Sequence, residues 1–248
     1  MRTAIGVIPS RYQSSRFPGK PLADICGKPM LWWVYQQALK VPSLDDIVVA
    51  TDDQRIADVC VENEMKYVMT SSSHDTPTSR LYEVSQNMDS DFYVFIGGDE
   101  PLIEPEAIEL IVQTAKKSEC DCVNAMTKIK TAPEVIDFTN IKVVTSTRGN
   151  LLYTTRSPLP FPKGSLDFEY MKFVGIGAFS KYALQVYNDT PKSKLELIEE
   201  CDLIRFIDQD IKVKMVEVDC RNVSVDTPKD LEFVRELIER KGSLEADK

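Results

Sequence analysis

Ala4-Ile5-Gly6-Val7-Ile8-Pro9-Ser10-Arg11-Tyr12-Gln13-Ser14-Ser15-Arg16-Phe17-Pro18-Gly19-Lys20-Pro21-Leu22 is the stretch on which the reading of this chain turns. An apolar run of strand length ends at Pro9, and a polar loop with three cations follows. Leu31 to Leu39 then returns to an apolar pattern that fits a helix. A loop directly after a first strand sits at the carboxyl end of an open α/β sheet, where such sheets bind ligands. Arg11, Arg16 and Lys20 suit a triphosphate there, because guanidinium groups grip phosphate oxygens bidentately and lysine adds a point charge. The plainer use of such residues is a solvated basic loop. Pro18, Gly19 and Pro21 stiffen this one and let its backbone approach a ligand, which favours phosphate. Pro9 and Ser10, at the strand's end, join these three cations in the expected nucleotide-binding set.

The chain beyond repeats the strand-then-helix rhythm. Asp46 to Ala50 reads as a second strand, with Thr51 or Asp52 capping a helix through Ile56, Val59 and Cys60. Tyr67-Val68-Met69 is a short third strand, and a helix from about Arg80 to Met88 follows. Phe92 to Ile96 is continuously apolar, as expected of a strand covered on both faces. Ala107, Ile108, Ile111, Val112 and Ala115 fall on one face of a helix from Glu106 to Lys117. Cys122 to Met126 and Val213 to Val218 read as further strands. Alternation of this kind predicts an α/β fold with a doubly wound, mainly parallel sheet. Between them, Ile141 to Thr145, Leu151 to Thr154 and Met171 to Phe179 read as strands without full helices between them. This predicts a small antiparallel excursion at about 141–179 within one domain spanning 1–248.

The totals set limits on partners. A chain of 248 residues is long enough for a substantial core, and its net charge of −9 argues against non-specific nucleic-acid binding. The six cysteines are scattered and complete no zinc-type set, so free thiols and a cytoplasmic setting are expected. The start of the chain lacks a signal-peptide pattern, and no apolar run approaches the ~20 residues of a membrane span.

Two aspartates are candidate metal ligands. Asp99 follows the buried strand Phe92 to Ile96 through two glycines, so its carboxylate should emerge beside the opening loop. Asp226 lies at a strand-to-helix junction where Thr227 already supplies the N-cap and Pro228 the first helical position. The plain readings are a turn residue and a cap. Two carboxylates at strand ends also fit Mg²⁺ held by one or two carboxylates plus substrate phosphates. The lone histidine, His74, has no evident nucleophilic partner.

Arg11-Tyr-Gln-Ser-Ser-Arg16-Phe-Pro-Gly-Lys20-Pro-Leu, with Gly27-Lys28-Pro29-Met30, resembles the opening of the 3-deoxy-manno-octulosonate (Kdo) cytidylyltransferases. The likeness continues through Ala50-Thr51-Asp52-Asp53, Gly98-Asp99-Glu100-Pro101-Leu102-Ile103, Thr155-Arg156-Ser157-Pro158-Leu159-Pro160 and Val225-Asp226-Thr227-Pro228. The resemblance implies CMP transfer from CTP to an acidic sugar, with Asp99 and Asp226 on Mg²⁺ and a homodimer paired through the excursion. It implies that Arg11 and Lys20 act on the phosphates, with Arg16 assisting. Thr78 and Arg80 become base contacts and, with Asp99, also belong to the nucleotide-binding set, while Arg156 becomes the partner of the acceptor's carboxylate. Gly97, Phe173, Gly177 and Leu203 stand where the family's pattern has polar groups directed at Kdo hydroxyls. Those exchanges predict a pocket poorer in hydroxyl partners, with another ulosonate, an amino-sugar acid or a phosphonate as the alternative acceptor.

Overall fold

The computed structural model describes residues 2–13, 17–165, 167–219 and 223–246, with side chains to residue 240. Arg16 and Cys220 lie outside the described residues. The first half alternates as expected: strand β1 (Ala4–Ser10), a short hairpin of β2 (Asp24–Ile25) and β3 (Lys28–Pro29), helix α1 (Met30–Ala38), β4 (Asp46–Thr51), α2 (Gln54–Glu62), β5 (Tyr67–Met69), α3 (Pro77–Asn87), β6 (Phe92–Ile96), α4 (Pro105–Lys117) and β7 (Cys122–Lys128). The second half holds α5 (Ala132–Ile136), β8 (Lys142–Thr145), β9 (Leu151–Thr155), β10 (Met171–Ser180), α6 (Lys181–Asp189), α7 (Lys194–Glu199), α8 (Leu203–Asp208), β11 (Val213–Glu217) and α9 (Pro228–Ala246).

The main sheet runs in the order β11-β7-β10-β6-β1-β4-β5. β1 pairs in parallel with β4 and β6, β4 with β5, and β11 with β7. Residues of β1 alternate between two cores: Ala4 and Ile8 join one with Leu31, Val34, Ile56, Ile108 and Ile111, while Ile5 and Val7 join another with Leu81, Val84, Leu184 and Phe206. Helices therefore cover both faces of β1 and β6, which is why those strands carry apolar side chains on both sides.

The antiparallel excursion differs from its expected shape. β8 and β9 form an arm beside the sheet, but Ile176–Ser180 of β10 pairs antiparallel with β6 and, beyond an irregularity after Phe173, with β7. The last of the three strands expected in the excursion is thus a central strand. Smaller corrections have local causes. Asp53, rather than Thr51 or Asp52, caps α2 by accepting from the Arg55 N–H at 3.0 Å. α7 and α8 are separate helices, broken where Glu200 takes a left-handed backbone (φ 50°). The five described cysteines are free. Among the described residues no helix is long and apolar enough to cross a membrane.

Candidate active site

Three loops meet beyond the carboxyl ends of β1 and β6. Gly98 lets two of them touch: a Cβ there would lie 3.0 Å from the Pro9 carbonyl oxygen and 3.3 Å from the Ser10 hydroxyl. The third arrives because the Val225 N–H donates to the Asp99 carbonyl at 2.9 Å. That one backbone bond brings Asp226 beside Asp99 from the far end of the chain. A small core of Ile25, Met30, Val225, Leu231 and Val234, flanked by Phe17 and Leu102, holds α9 under the opening loop. Asp230, in the first turn of α9, fixes the junction by accepting from the Asp226 and Thr227 N–H groups at 3.1 and 2.8 Å.

Lys20 reaches into this meeting point. Its ammonium lies 2.9 Å from Asp99 Oδ2 and 3.5 Å from Asp226 Oδ1, so one cationic centre sits between the two carboxylates. A cavity of about 290 Å³ opens there, lined by Pro9, Ser10, Arg11, Lys20, Arg80, Asp99 and Asp226 among others. Most of the sequence-predicted nucleotide set is thereby brought together. The Ser10 hydroxyl is, among the described residues, the one buried side-chain polar atom without a hydrogen-bond partner. Buried polar groups are paired in the great majority of native structures, so an orphan in a cavity wall marks where a ligand is wanted.

Arg80 is buried, pairs with Asp52 at 3.3 Å and donates to the Thr70 hydroxyl. It faces the cavity as the end of a fixed polar chain. Thr78 does not face it. Its hydroxyl donates to Asp202 Oδ2 at 2.7 Å on the opposite side of the α3 turn, and the cavity wall is made instead by His74, Asp75, Thr76 and Pro77. The base contacts expected at Thr78 and Arg80 point to this segment, but only Arg80 of the two lines the cavity, because the α3 turn directs Thr78 to Asp202.

A second cavity, of about 700 Å³, shares Phe95, Gly97, Asp99 and Asp226 with the first. Its polar lining includes Thr127, Lys128, Lys130, Glu134, Thr139, Asn140, Lys172 and Ser224. The Lys172 ammonium lies 3.1 Å from Glu134 and 3.4 Å from Asn140 Oδ1. Glu100 is buried at the wall between the cavities, where burial and then the charge of Asp99 push its carboxyl up to about 8.

The residues expected at the acceptor site fall in different places. Arg156 lines neither cavity: its guanidinium donates to the backbone oxygens of Glu199 and Phe138 at 2.9 and 3.0 Å. Gly177 and Leu203 line neither cavity as well. Gly177 faces Asn124, whose oxygen would lie 2.5 Å from an added Cβ, and Leu203 is a core residue. Gly97 and Phe173 do line the second cavity, so two of the four exchanges alter its wall.

A doubly wound sheet with a basic loop after β1, and with two aspartates brought together beside it from the end of β6 and the approach to α9, defines a nucleotidyl-transferring enzyme. The match to known proteins narrows the class. Residues 5–240 match the cytidylyltransferase family, and the chain belongs to it. It is 39% identical to the 3-deoxy-manno-octulosonate cytidylyltransferase of Escherichia coli, over 96% of this chain and 97% of that protein. It is 33% identical to that of Christiangramia forsetii, over 94% and 96%. A solved CMP:2-keto-3-deoxy-manno-octonic acid synthetase complexed with CTP superposes with a TM-score of 0.92 at 38% identity, over 96% of this chain and 99% of that one. A cytidylyltransferase from Leptospira borgpetersenii, 15% identical over 97% of this chain and 88% of that one with a TM-score of 0.66, shares the fold.

Proposed function

We propose that this enzyme transfers CMP from CTP to 3-deoxy-manno-octulosonate with release of pyrophosphate, using Mg²⁺ held by Asp99 and Asp226. The single observation that carries the site assignment is the Lys20 ammonium between those two carboxylates, at the place where the two cavities join. A pair of hard oxygen donors already sharing one cation fits Mg²⁺, which takes one or two carboxylates and completes its shell with water and phosphate oxygens. When bound, Mg²⁺ supplies positive charge beside the phosphate that is attacked.

The protein's own contribution is position and charge. Arg11 and Lys20 neutralise phosphate oxygens, and Ser10 offers its unpartnered hydroxyl. The wall from His74 to Arg80 receives the base. The acceptor occupies the second cavity, so its hydroxyl meets the α-phosphorus at the shared Gly97–Asp99–Asp226 boundary, in the near-attack geometry that removes most of the entropic cost. Lys128, Lys130 and Lys172 are the cavity's cations for the acceptor carboxylate, in place of Arg156. Thr127, Thr139, Asn140 and Ser224 supply hydroxyl partners that the exchanges at Gly97 and Phe173 remove, which favours the octulosonate over the alternative acceptors.

We place the reaction in the cytoplasm and the whole chain in one catalytic unit. Two copies associate about the 141–179 excursion, in which Phe161 is 82% exposed. The test of the activity is pyrophosphate release from CTP with authentic octulosonate, set against UTP, ATP and GTP and against EDTA. Asp99→Asn and Asp226→Asn should each lose roughly two orders of magnitude or more in turnover while remaining folded. Turnover that survives EDTA and both substitutions refutes the assignment.

A further inference from the structure

The wall that receives the base is held from behind by residues with no place in the reaction. Thr78 donates to Asp202 at 2.7 Å, and the Thr76 hydroxyl, which also caps α3, lies 3.0 Å from the Tyr187 hydroxyl. Tyr187 is 1% exposed. Burial pushes the Asp202 carboxyl upward against the hydrogen bond from Thr78. A buried carboxyl held by the first turn of α3, beside a buried tyrosine hydroxyl held by Thr76, is an expensive anchor with no catalytic group in reach. The anchor is itself immobilised. Arg205 grips Glu196 with both arms, donates to the Tyr187 and Thr190 carbonyls at 2.9 and 3.1 Å, and lies 3.8 Å over the Tyr187 ring.

We propose that Asp202 and Tyr187 are positioning residues for nucleotide recognition: they fix the distance between the base-receiving wall at Thr76–Thr78 and the phosphate-binding loop at Arg11–Lys20. The proposal rests on reading the first cavity as the CTP site. Its consequence is a split between the two ends of the nucleotide. The phosphate end is built on β1, β6 and α9, none of which touches Asp202 through a hydrogen bond. Loosening the anchor should therefore weaken a ligand that spans both ends and spare one that occupies the phosphate end alone.

The test measures affinity for CTP and for inorganic tripolyphosphate, each with Mg²⁺, by calorimetry on wild type, Asp202→Ala, Asp202→Asn and Tyr187→Phe. Asp202→Ala and Tyr187→Phe should each weaken CTP roughly tenfold, the scale of one hydrogen bond to a charged group. Tripolyphosphate affinity should stay within about twofold, and kcat at saturating CTP should change less than KM. Asp202→Asn keeps an acceptor for Thr78 and should recover most of the loss. Tyr187→Phe removes one oxygen atom and guards against the case in which Asp202→Ala fails to fold. Equal losses for CTP and tripolyphosphate, or unchanged CTP affinity in a destabilised protein, would overturn the positioning role. Wild-type protein that binds tripolyphosphate but not CTP would instead overturn the reading of the cavity, and the proposal with it.

Discussion

Replacing Gly177 by alanine adds one methyl group where β10 crosses the side chain of Asn124. The new Cβ would lie 2.5 Å from the Asn124 oxygen and 3.2 Å from two ring carbons of Phe179. Asn124 cannot step aside without loss, because it is 1% exposed and its amide donates to the Ala125 and Val174 carbonyls at 2.9 and 3.2 Å. Breaking both bonds costs about 1–3 kcal/mol at 0.5–1.5 each, and crowding a packed interior adds about 1–3 kcal/mol. Against this, alanine restricts the unfolded chain and returns about 0.4–1 kcal/mol. The net expectation is a destabilisation of about 1–5 kcal/mol, a large share of the ~5–15 kcal/mol that holds a typical domain folded. Urea unfolding gives the number directly. The change should also be non-additive with Asn124→Ala, the double variant losing at least about 1 kcal/mol less than the sum of the singles. Because Gly177 lines neither cavity, KM for the acceptor should be unchanged in whatever fraction folds. A Gly177→Ala protein within about 0.5 kcal/mol of wild type, or one with a raised acceptor KM and normal stability, would refute the argument and return Gly177 to the acceptor site.

Ser10→Ala removes an unpaired buried hydroxyl, so it should leave the free protein as stable as wild type or more so, yet weaken CTP several-fold; calorimetry and thermal unfolding on one sample check both. Lys142→Met should cost about 3–5 kcal/mol in urea unfolding, because the fully buried ammonium donates to the carbonyls of Asp137, Asn140 and Arg156 at 2.6–2.9 Å and no other donor replaces it. Asp53→Ala should cost about 1 kcal/mol at neutral pH through loss of the α2 cap. The Arg55 side chain holds the Asp53 carboxyl below its usual range, so this contribution is present in full above the unfolded pKa of about 4 and disappears as pH falls through the lower folded value; stability curves of variant and wild type should converge in acid.

What the residues announced and what they concealed differ for physical reasons. β1 and β6 are legible because apolar side chains on both faces leave an unbroken run, and α4 because its five buried positions share one stripe. Lys20 and Asp99 are legible together because each lies in a loop that follows one of the neighbouring parallel strands β1 and β6. Asp226, nine residues beyond β11, is legible only through its motif, and the backbone bond that delivers it to Asp99 is silent. The break at Glu200 is silent, since a left-handed backbone on a glutamate carries no sequence mark. The direction of Thr78 is silent too: one turn of helix decides between cavity and Asp202, and only the packing of α6 and α8 against α3 resolves it. Arg156 sits in a proline-rich motif that signals rigidity, but its guanidinium is claimed by two backbone carbonyls that no local pattern reveals. Gly177 misleads for the opposite reason. Its lack of a side chain looks like a vacated ligand contact, and it is instead the space that Asn124 occupies.

The place of β10 in the sheet bears on how a ribosome can make this protein. β6 and β7 emerge early, with α4 between them, but they are not neighbours; the gap between them waits for Ile176–Ser180, which is translated some fifty residues after β7 ends. Until then the apolar Phe92–Ile96 strand presents an unpaired edge, the template on which nascent chains stick to one another. The phosphate-binding loop, Asp99 and the strands under them are all present by that stage, so a truncated chain ending before Met171 carries most of the nucleotide machinery on a sheet that cannot close. Splitting the chain after Ser180, with the two pieces supplied separately, should give a first fragment far more soluble than one split before Met171.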